Sequence, residues 1–505
     1  MEFQYFVSLL LLIFFLFLLI QNWKKSKTLK QKLPPGPWRL PIIGSVHHLT
    51  SGVPHRVLRN LSQKYGPIMY LQLGEVPTVV VSSPHMAKQI LKTHDLAFAS
   101  RPVTMLGKIL CYNCTDIAFS PYGDYWRQMR KLSVLELLSA KMVKSFSSIR
   151  QDELSSLLSS IESMVNSPIN LTNKLFWFMN AATCRSAFGK VCKDQNELIT
   201  LIHRAQSLSG GFELADLFPS KTFLHGISGM KSKLMKARNK VDTVLDNIIN
   251  VHRENRANGK KCNGESGVED LIDVFLRVME SGDFQFPLTN DNIKAVILDM
   301  FVAGSDTSSS TVIWALTEML NNPRVMAKAQ AEVREAFKGK KTCDDDADLE
   351  KLNYLKLVIK ETLRLHPPTP LLVPRECREE TEIDGFIIPL KSKVLVNVWA
   401  LGRDHEIWEN PECFIPERFE NSSIEFTGNH FQFLPFGGGR RICPGILFGV
   451  ALVTLPLAHL LYKFDWKLPE GINARDLDMT ESNGITARRE HDLYLIATPY
   501  ASPVD

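Results

Sequence analysis

The chain has 505 residues, 45% hydrophobic and 22% charged, with a net charge of +5. That balance is globular with ample apolar material for a core; the mild charge, with no basic stripe interleaved with aromatics, excludes nucleic acid as the main partner. Nine cysteines without an even framework predict free thiols on a cytosolic face, and Cys111 and Cys114, lacking a second pair at zinc spacing, read as a coincidence.

Phe3 to Ile20 is apolar except for Gln4, Tyr5 and Ser8. As a helix it rises about 27 Å, enough to span a hydrocarbon core with interfacial help. Trp23 sits at the interface, and Lys24, Lys25, Lys27, Lys30 and Lys32 follow, whereas only Glu2 and the terminus precede the span. The positive-inside rule then makes this an uncleaved single-pass anchor with a luminal N-terminus and a cytosolic body. The sequons at Asn60, Asn113, Asn170 and Asn421 would go unglycosylated. Pro34, Pro35, Pro37 and Pro41 stiffen the segment that follows. The organisation expected is an anchor over 1–23, a basic and proline-rich hinge over 24–44, and a single folded domain over 45–505.

Ile68 to Ser82 reads as two short strands around a Gly74-Glu75 turn, and Pro102 to Phe119 as an irregular loop of functional length. Tyr125 opens a helix on which Trp126 and Arg130, four apart, share a face and can donate to a carboxylate. Residues 145–260 are mostly amphipathic helix, and Gly259 to Gly267 is a polar surface loop.

Ile293 to Leu320 is the longest helical pattern, apolar enough to be buried on most sides. Its centre is Ala303-Gly304-Ser305-Asp306-Thr307-Ser308. A mid-helix glycine and a run of hydroxyls can perturb the backbone ladder and let a small ligand approach. Asp306 and Thr307 bring an acid and a hydroxyl suited to proton delivery. Glu361 and Arg364 share a helix face and can pair, with Arg418 of Pro416-Glu417-Arg418-Phe419 as third member of a structural network. The prolines after Leu365 end that helix, placing Leu371, Leu372 and Val373 at a pocket; His366 reads as a cap or core residue. Ile387 to Val398 is more short strand, Asp478 to Ala487 a loop, and His491 to Thr498 a last strand.

Between these lies Phe436-Gly437-Gly438-Gly439-Arg440-Arg441-Ile442-Cys443-Pro444-Gly445, followed by an apolar run from Ile446 to Leu461. The glycines permit positive φ and close backbone approach. Pro444 suits a first helical turn, which puts Cys443 at a helix N-terminus that favours its thiolate. One thiolate without a neighbouring Cys or His is not a zinc site; it is what a haem iron takes in an oxygen-cleaving enzyme, and Arg441 is placed to meet a propionate.

The pattern Phe-x-x-Gly-x-Arg-x-Cys-x-Gly, met at Phe436, Gly439, Arg441, Cys443 and Gly445, resembles the haem-binding signature of the cytochrome P450 family. The Trp126/Arg130, Ala303–Ser308, Glu361/Arg364 and Arg418 motifs resemble the family's others, in the same order, so the resemblance spans the chain. It implies a mainly α fold with small β-sheets behind an N-terminal transmembrane helix. It implies haem b with Cys443 as axial ligand, and Trp126, Arg130, Arg375, Phe436, Arg441 and Gly445 as cofactor-binding residues. Asp306 and Thr307 would be catalytic; Ala303, Leu371, Leu372, Val373, Ile485 and the Phe212–Phe218 stretch would lie near substrate. The likeness is to plant microsomal members, which implies an endoplasmic reticulum membrane protein. Its O2-dependent monooxygenation of a small hydrophobic secondary metabolite, a sesquiterpene or other terpenoid, would draw electrons from NADPH through NADPH–cytochrome P450 reductase. No flavin- or nicotinamide-binding Gly motif follows a predicted strand here, and Lys131 and Arg440 are candidate docking charges. The alternatives are an indole-alkaloid hydroxylase or epoxidase, an O2-independent haem-thiolate isomerase or dehydratase, which intact Asp306-Thr307 disfavours, and a non-catalytic haem or lipid carrier.

Overall fold

The computed structural model describes residues 32–189, 197–201, 213–221, 229–258, 270–282, 284–339 and 346–500. The expected anchor, residues 24–31 of the hinge, Phe212 and the Gly259–Gly267 loop lie outside the described residues. The longer helices in chain order are α1 (Pro54–Tyr65), α2 (Asp124–Glu136), α3 (Ser147–Glu162), α4 (Leu171–Phe188), α5 (Met230–Ala257), α6 (Leu271–Ser281), α7 (Asn290–Asn321), α8 (Pro323–Ala336), α9 (Asn353–Leu365) and α10 (Ile446–Lys463). The strands are β1 (Ile68–Leu73), β2 (Val76–Val81), β3 (Pro168–Asn170), β4 (Arg375–Glu376), β5 (Thr381–Ile383), β6 (Phe386–Ile388), β7 (Lys393–Val396), β8 (Phe464–Lys467) and β9 (Tyr494–Pro499).

The core is organised on α7. Thr289 and Asn292 close a capping box at its start, satisfying the first free N–H groups, and its 32 residues run unbroken to Asn321. Both ends of the helix are buried nearly all round, and α4 and α10 pack along it. Among the described residues α10 alone is long and apolar enough to cross a membrane, yet most of it is buried against the rest of the fold, as a core helix is.

A sheet of order β1-β2-β7-β4 flanks the helices, with β1–β2 and β7–β4 antiparallel and β2–β7 parallel. β3-β9-β8 and the β5–β6 hairpin form smaller sheets. The proline-rich segment does not stand free. Pro35 accepts from the Tyr70 amide at 2.8 Å, and a Cβ on Gly36 would lie 1.9 Å from the Tyr70 carbonyl oxygen, so only glycine allows this approach.

Four local expectations shift. Pro102–Phe119 contains a helical turn, Met105–Ile109, capped by the Thr104 hydroxyl. Strand structure over Ile387–Val398 divides at a turn into β6 and β7, and the last strand begins at Tyr494 rather than His491. Pro444 stays outside α10, whose N-cap is Gly445.

Candidate active site

A cavity of about 260 Å³ opens between α7 and the cysteine loop. The loop is held by its backbone. The Cys443 amide donates to the Phe436 carbonyl at 3.0 Å, and Gly437 and Gly439 have φ of 72° and 66°. A side chain on Gly439 would bring its Cβ within 2.1 Å of the Leu91 carbonyl, so the tight packing of the loop's back requires that glycine. Phe436 lines the cavity and meets Phe426 edge-on at 5.3 Å.

Cys443 opens onto the cavity. Burial pushes its thiol up, against the Gly445 N–H and Arg130, which pull it down. The Gly445 N–H acts in the direction expected of a helix terminus, but desolvation outweighs that one amide and one cation. A metal cation at sulfur reverses that balance outright.

Arg101, Arg130, Arg375 and Arg441 also line the cavity. Arg375 pairs with Asp95 at 3.1 Å and donates to the Gly438 carbonyl at 2.7 Å. Arg441 donates to the carbonyls of Ala99 and Ser120 at 2.7 and 2.6 Å and lies 3.9 Å over the Trp126 ring. Arg130 donates to the Ile442 carbonyl at 2.5 Å and Arg101 to that of Ala118 at 2.9 Å. Among the described residues, Asp95 is the carboxylate that ion-pairs with this set. Burial, then Arg375 and Arg130, bring Arg441 down to about 9; burial, then Arg441 and Arg375, hold Arg101 well below its ordinary value. Mutually repelling buried cations beside a lone cysteine fit a flat, iron-bearing dianion such as haem. Trp126 Nε1 donates to the Ile117 carbonyl at 3.0 Å rather than toward a free carboxylate, so the ring serves as a stacking platform for Arg441 and Arg130.

Ala303, Gly304, Thr307 and Ser308 of α7 line the opposite wall. Thr307 Oγ1 donates to the Ala303 carbonyl at 2.6 Å, and Thr311 to that of Thr307 at 2.8 Å. The ladder is thus loaded with side-chain bonds, though the helix stays continuous. Asp306 does not line the cavity. One residue round the helix from Thr307, it is buried and faces Arg488 at 3.3 Å, whose side chain is 33% exposed.

Behind the cysteine loop, Glu361 binds Arg364 through both oxygens at 2.7 and 2.8 Å and Arg418 at 2.9 Å. The expected network is present and fully buried at Glu361 and Arg364. His366 is a core residue, stacked on Trp314 at 3.9 Å and bonded to Glu318 at 2.7 Å.

The substrate-side expectations divide. Leu372 and Val373 line the cavity, but Leu371 and Ile485 line a separate small cleft with Pro54 and Leu395. Leu372 has φ of 51°, and this left-handed kink turns Leu371 toward the β1–β2 cluster. Glu213–Phe218 folds as a turn on the hairpin, with the Glu75 amide on the Leu217 carbonyl at 2.8 Å, and lines no part of the cavity. Arg101, Asp95 and Asp299 were not singled out in the sequence; none belongs to a periodic or spaced pattern, and only the fold brings them together.

Comparisons with known proteins agree with this geometry. Residues 34–495 match the family described as Cytochrome P450. The chain is 62% identical to premnaspirodiene oxygenase of Hyoscyamus muticus, covering 99% of both chains, and 59% identical to 5-epiaristolochene 1,3-dihydroxylase of Nicotiana tabacum, again over 99% of each. A zebra fish cytochrome P450 solved with progesterone superposes with a TM-score of 0.75 at 26% identity, over 88% of this chain and 99% of that one. The chain belongs to the cytochrome P450 family.

Proposed function

We propose that this haem b monooxygenase oxidises a terpenoid, with Cys443 as the thiolate that would hold the haem iron and Thr307 as the group that holds a proton at the opposite wall. The observation that carries the reading is that both residues open onto one cavity rimmed by buried arginines. Bound haem supplies O2 activation with NADPH-derived electrons, one oxygen entering a C–H or C=C bond and the other leaving as water.

The chain's own residues divide the remaining work. Arg101, Arg130, Arg375 and Arg441 would neutralise the propionates of bound haem, and Trp126 holds two of those guanidiniums in place. Phe436 and Gly445 shape the sulfur's side of the cavity. Thr307 hands on a proton through its hydroxyl, and the Asp306–Arg488 pair links that stretch of α7 to the surface. Ala303, Leu372 and Val373 present the apolar walls against which a hydrocarbon skeleton is oriented. The names of the similar oxygenase and dihydroxylase support a sesquiterpene skeleton.

Residues 1–23 anchor the protein in the endoplasmic reticulum membrane with the N-terminus luminal, and 45–505 form one cytosolic catalytic domain. Electrons arrive from NADPH–cytochrome P450 reductase, with Lys131 and Arg440 as docking charges; Arg440 keeps a half-exposed guanidinium while pairing Asp95. Microsomes carrying the chain and the reductase, offered a sesquiterpene panel, should yield NADPH-dependent mono-oxygenated products. Turnover independent of reductase and NADPH would overturn the reading in favour of an isomerase.

A further inference from the structure

Among the described residues lining the cavity, Asp299 is the one carboxylate. It sits on α7 four residues before Ala303 and eight before Thr307, so the three share a face and span about 12 Å along the axis. Its Oδ2 accepts from the Ile117 and Ala118 amides at 2.6 and 3.1 Å, pinning the loop that roofs the cavity. Behind it lies Asp116, wholly buried, whose Oδ2 accepts from the Phe119 amide at 2.8 Å. Burial and mutual repulsion raise Asp299 well above the ordinary carboxylate range, and burial raises Asp116.

Two neighbouring carboxylates that repel one another away from water resist ionising together. Two loop amides on Oδ2 leave Asp299 with unused lone pairs, and the residue is only partly buried because it meets the cavity. Pinning the loop requires Asp299 alone. It does not require a second acid behind it, nor an acceptor facing apolar walls, which is costly unless a ligand donor meets it.

We infer that Asp299 is a hydroxyl anchor: the cavity takes a terpenoid that already bears an alcohol and holds that alcohol against the Asp299 carboxyl while a carbon about two helical turns away is presented for oxidation. This rests on the terpenoid reading above and deepens it. The substrate is then the product of an earlier hydroxylation or hydrating cyclisation. The new oxygen enters from O2 with two electrons from NADPH, and the product is a diol or its epoxy equivalent. A site built to accept from a hydroxyl discriminates against the parent hydrocarbon, because the buried acceptor would be left unmet.

The test uses the haem-loaded full chain in detergent and reads dissociation constants from displacement of its resting absorbance. The probes are premnaspirodiene and 5-epiaristolochene, their mono-alcohols, and the methyl ethers of those alcohols. The alcohols should bind roughly five- to twentyfold more tightly than hydrocarbons and ethers. Asp299→Asn, whose amide oxygen still accepts from the loop, should shrink that preference to about twofold without weakening hydrocarbon binding. Asp116→Asn, which keeps a side chain of the same size outside the cavity lining, should preserve it. A purely structural role predicts that both variants weaken all ligands alike, and that result would overturn the anchor. Should Asp299→Asn lose its haem, the wild-type ethers decide, since ethers binding as tightly as alcohols overturn it too. Equal wild-type binding of hydrocarbon and alcohol sinks the anchor alone; no displacement by any probe sinks the terpenoid reading with it.

Discussion

Glu361→Gln isolates what the buried network behind the cysteine loop contributes. Arg364 is fully buried and uses Nε and Nη2 on Glu361, with its remaining donors on the Gly402, Pro411 and Cys413 carbonyls at 2.5, 2.7 and 3.0 Å. Glu361 also accepts from Arg418 at 2.9 Å and the Ile415 amide at 2.8 Å. The amide substituent keeps the volume but removes the charge and turns one acceptor into a donor facing Arg364. Breaking one side of a buried ion pair costs about 3–5 kcal/mol, a large part of the 5–15 kcal/mol typical of a folded domain. Thermal loss of the thiolate-ligated ferrous–CO absorbance should therefore move down by roughly 3–5 °C, since a single domain of this length unfolds with an entropy of about 1 kcal/mol/K, with far-UV dichroism falling in step. A shift below about 1 °C would refute the claim that this network supports the loop.

Thr307→Ala should leave haem bound but divert reducing equivalents to peroxide; NADPH consumption still matched to product would show that another group delivers the proton. Arg441→Met removes one of the buried cations, and the haem-loaded form should lose its cofactor to apomyoglobin at least tenfold faster, since a buried charge pair is worth over 1.4 kcal/mol; an unchanged rate would remove Arg441 from the propionate site. Burial raises Asp270 to about 7, and Asp273 with Asp270 raises His252 despite burial, so the folded state holds protons that the unfolded chain releases. Stability from these groups is present at acid pH and lost as pH rises from about 4 through 7. Asp270→Asn, which keeps the helix cap, should flatten urea midpoints over that range, and an unaltered slope would contradict the assignment.

What the sequence discloses here is local and repetitive; what it hides is convergent. The glycines and the lone cysteine at 436–445 mark a close backbone approach because few other arrangements tolerate them, and Glu361–Arg364 is legible because three residues fix a shared helix face. α7 shows through its length and apolar run, but not which face Asp306 takes; one step of helical rotation moved it from the cavity to Arg488. Leu371 falls in a separate cleft, which Ile485 also lines, for a similar reason, since a single left-handed residue at Leu372 redirects the chain there. Arg101 and Asp116 come from the loops before α2 and Asp299 from α7, and no spacing within one segment announces that burial will bring them together. The sulfur's electrostatics were equally hidden, because desolvation depends on neighbours distant in sequence.

The most direct measurement is the ferrous–CO difference spectrum of Cys443→Ala beside the parent chain, each with its haem content determined. The thiolate-ligated band should be present in the parent and absent in the variant, whatever haem the variant retains. The same band surviving in Cys443→Ala would mean that another residue ligates the iron and that the cavity has been read from the wrong wall.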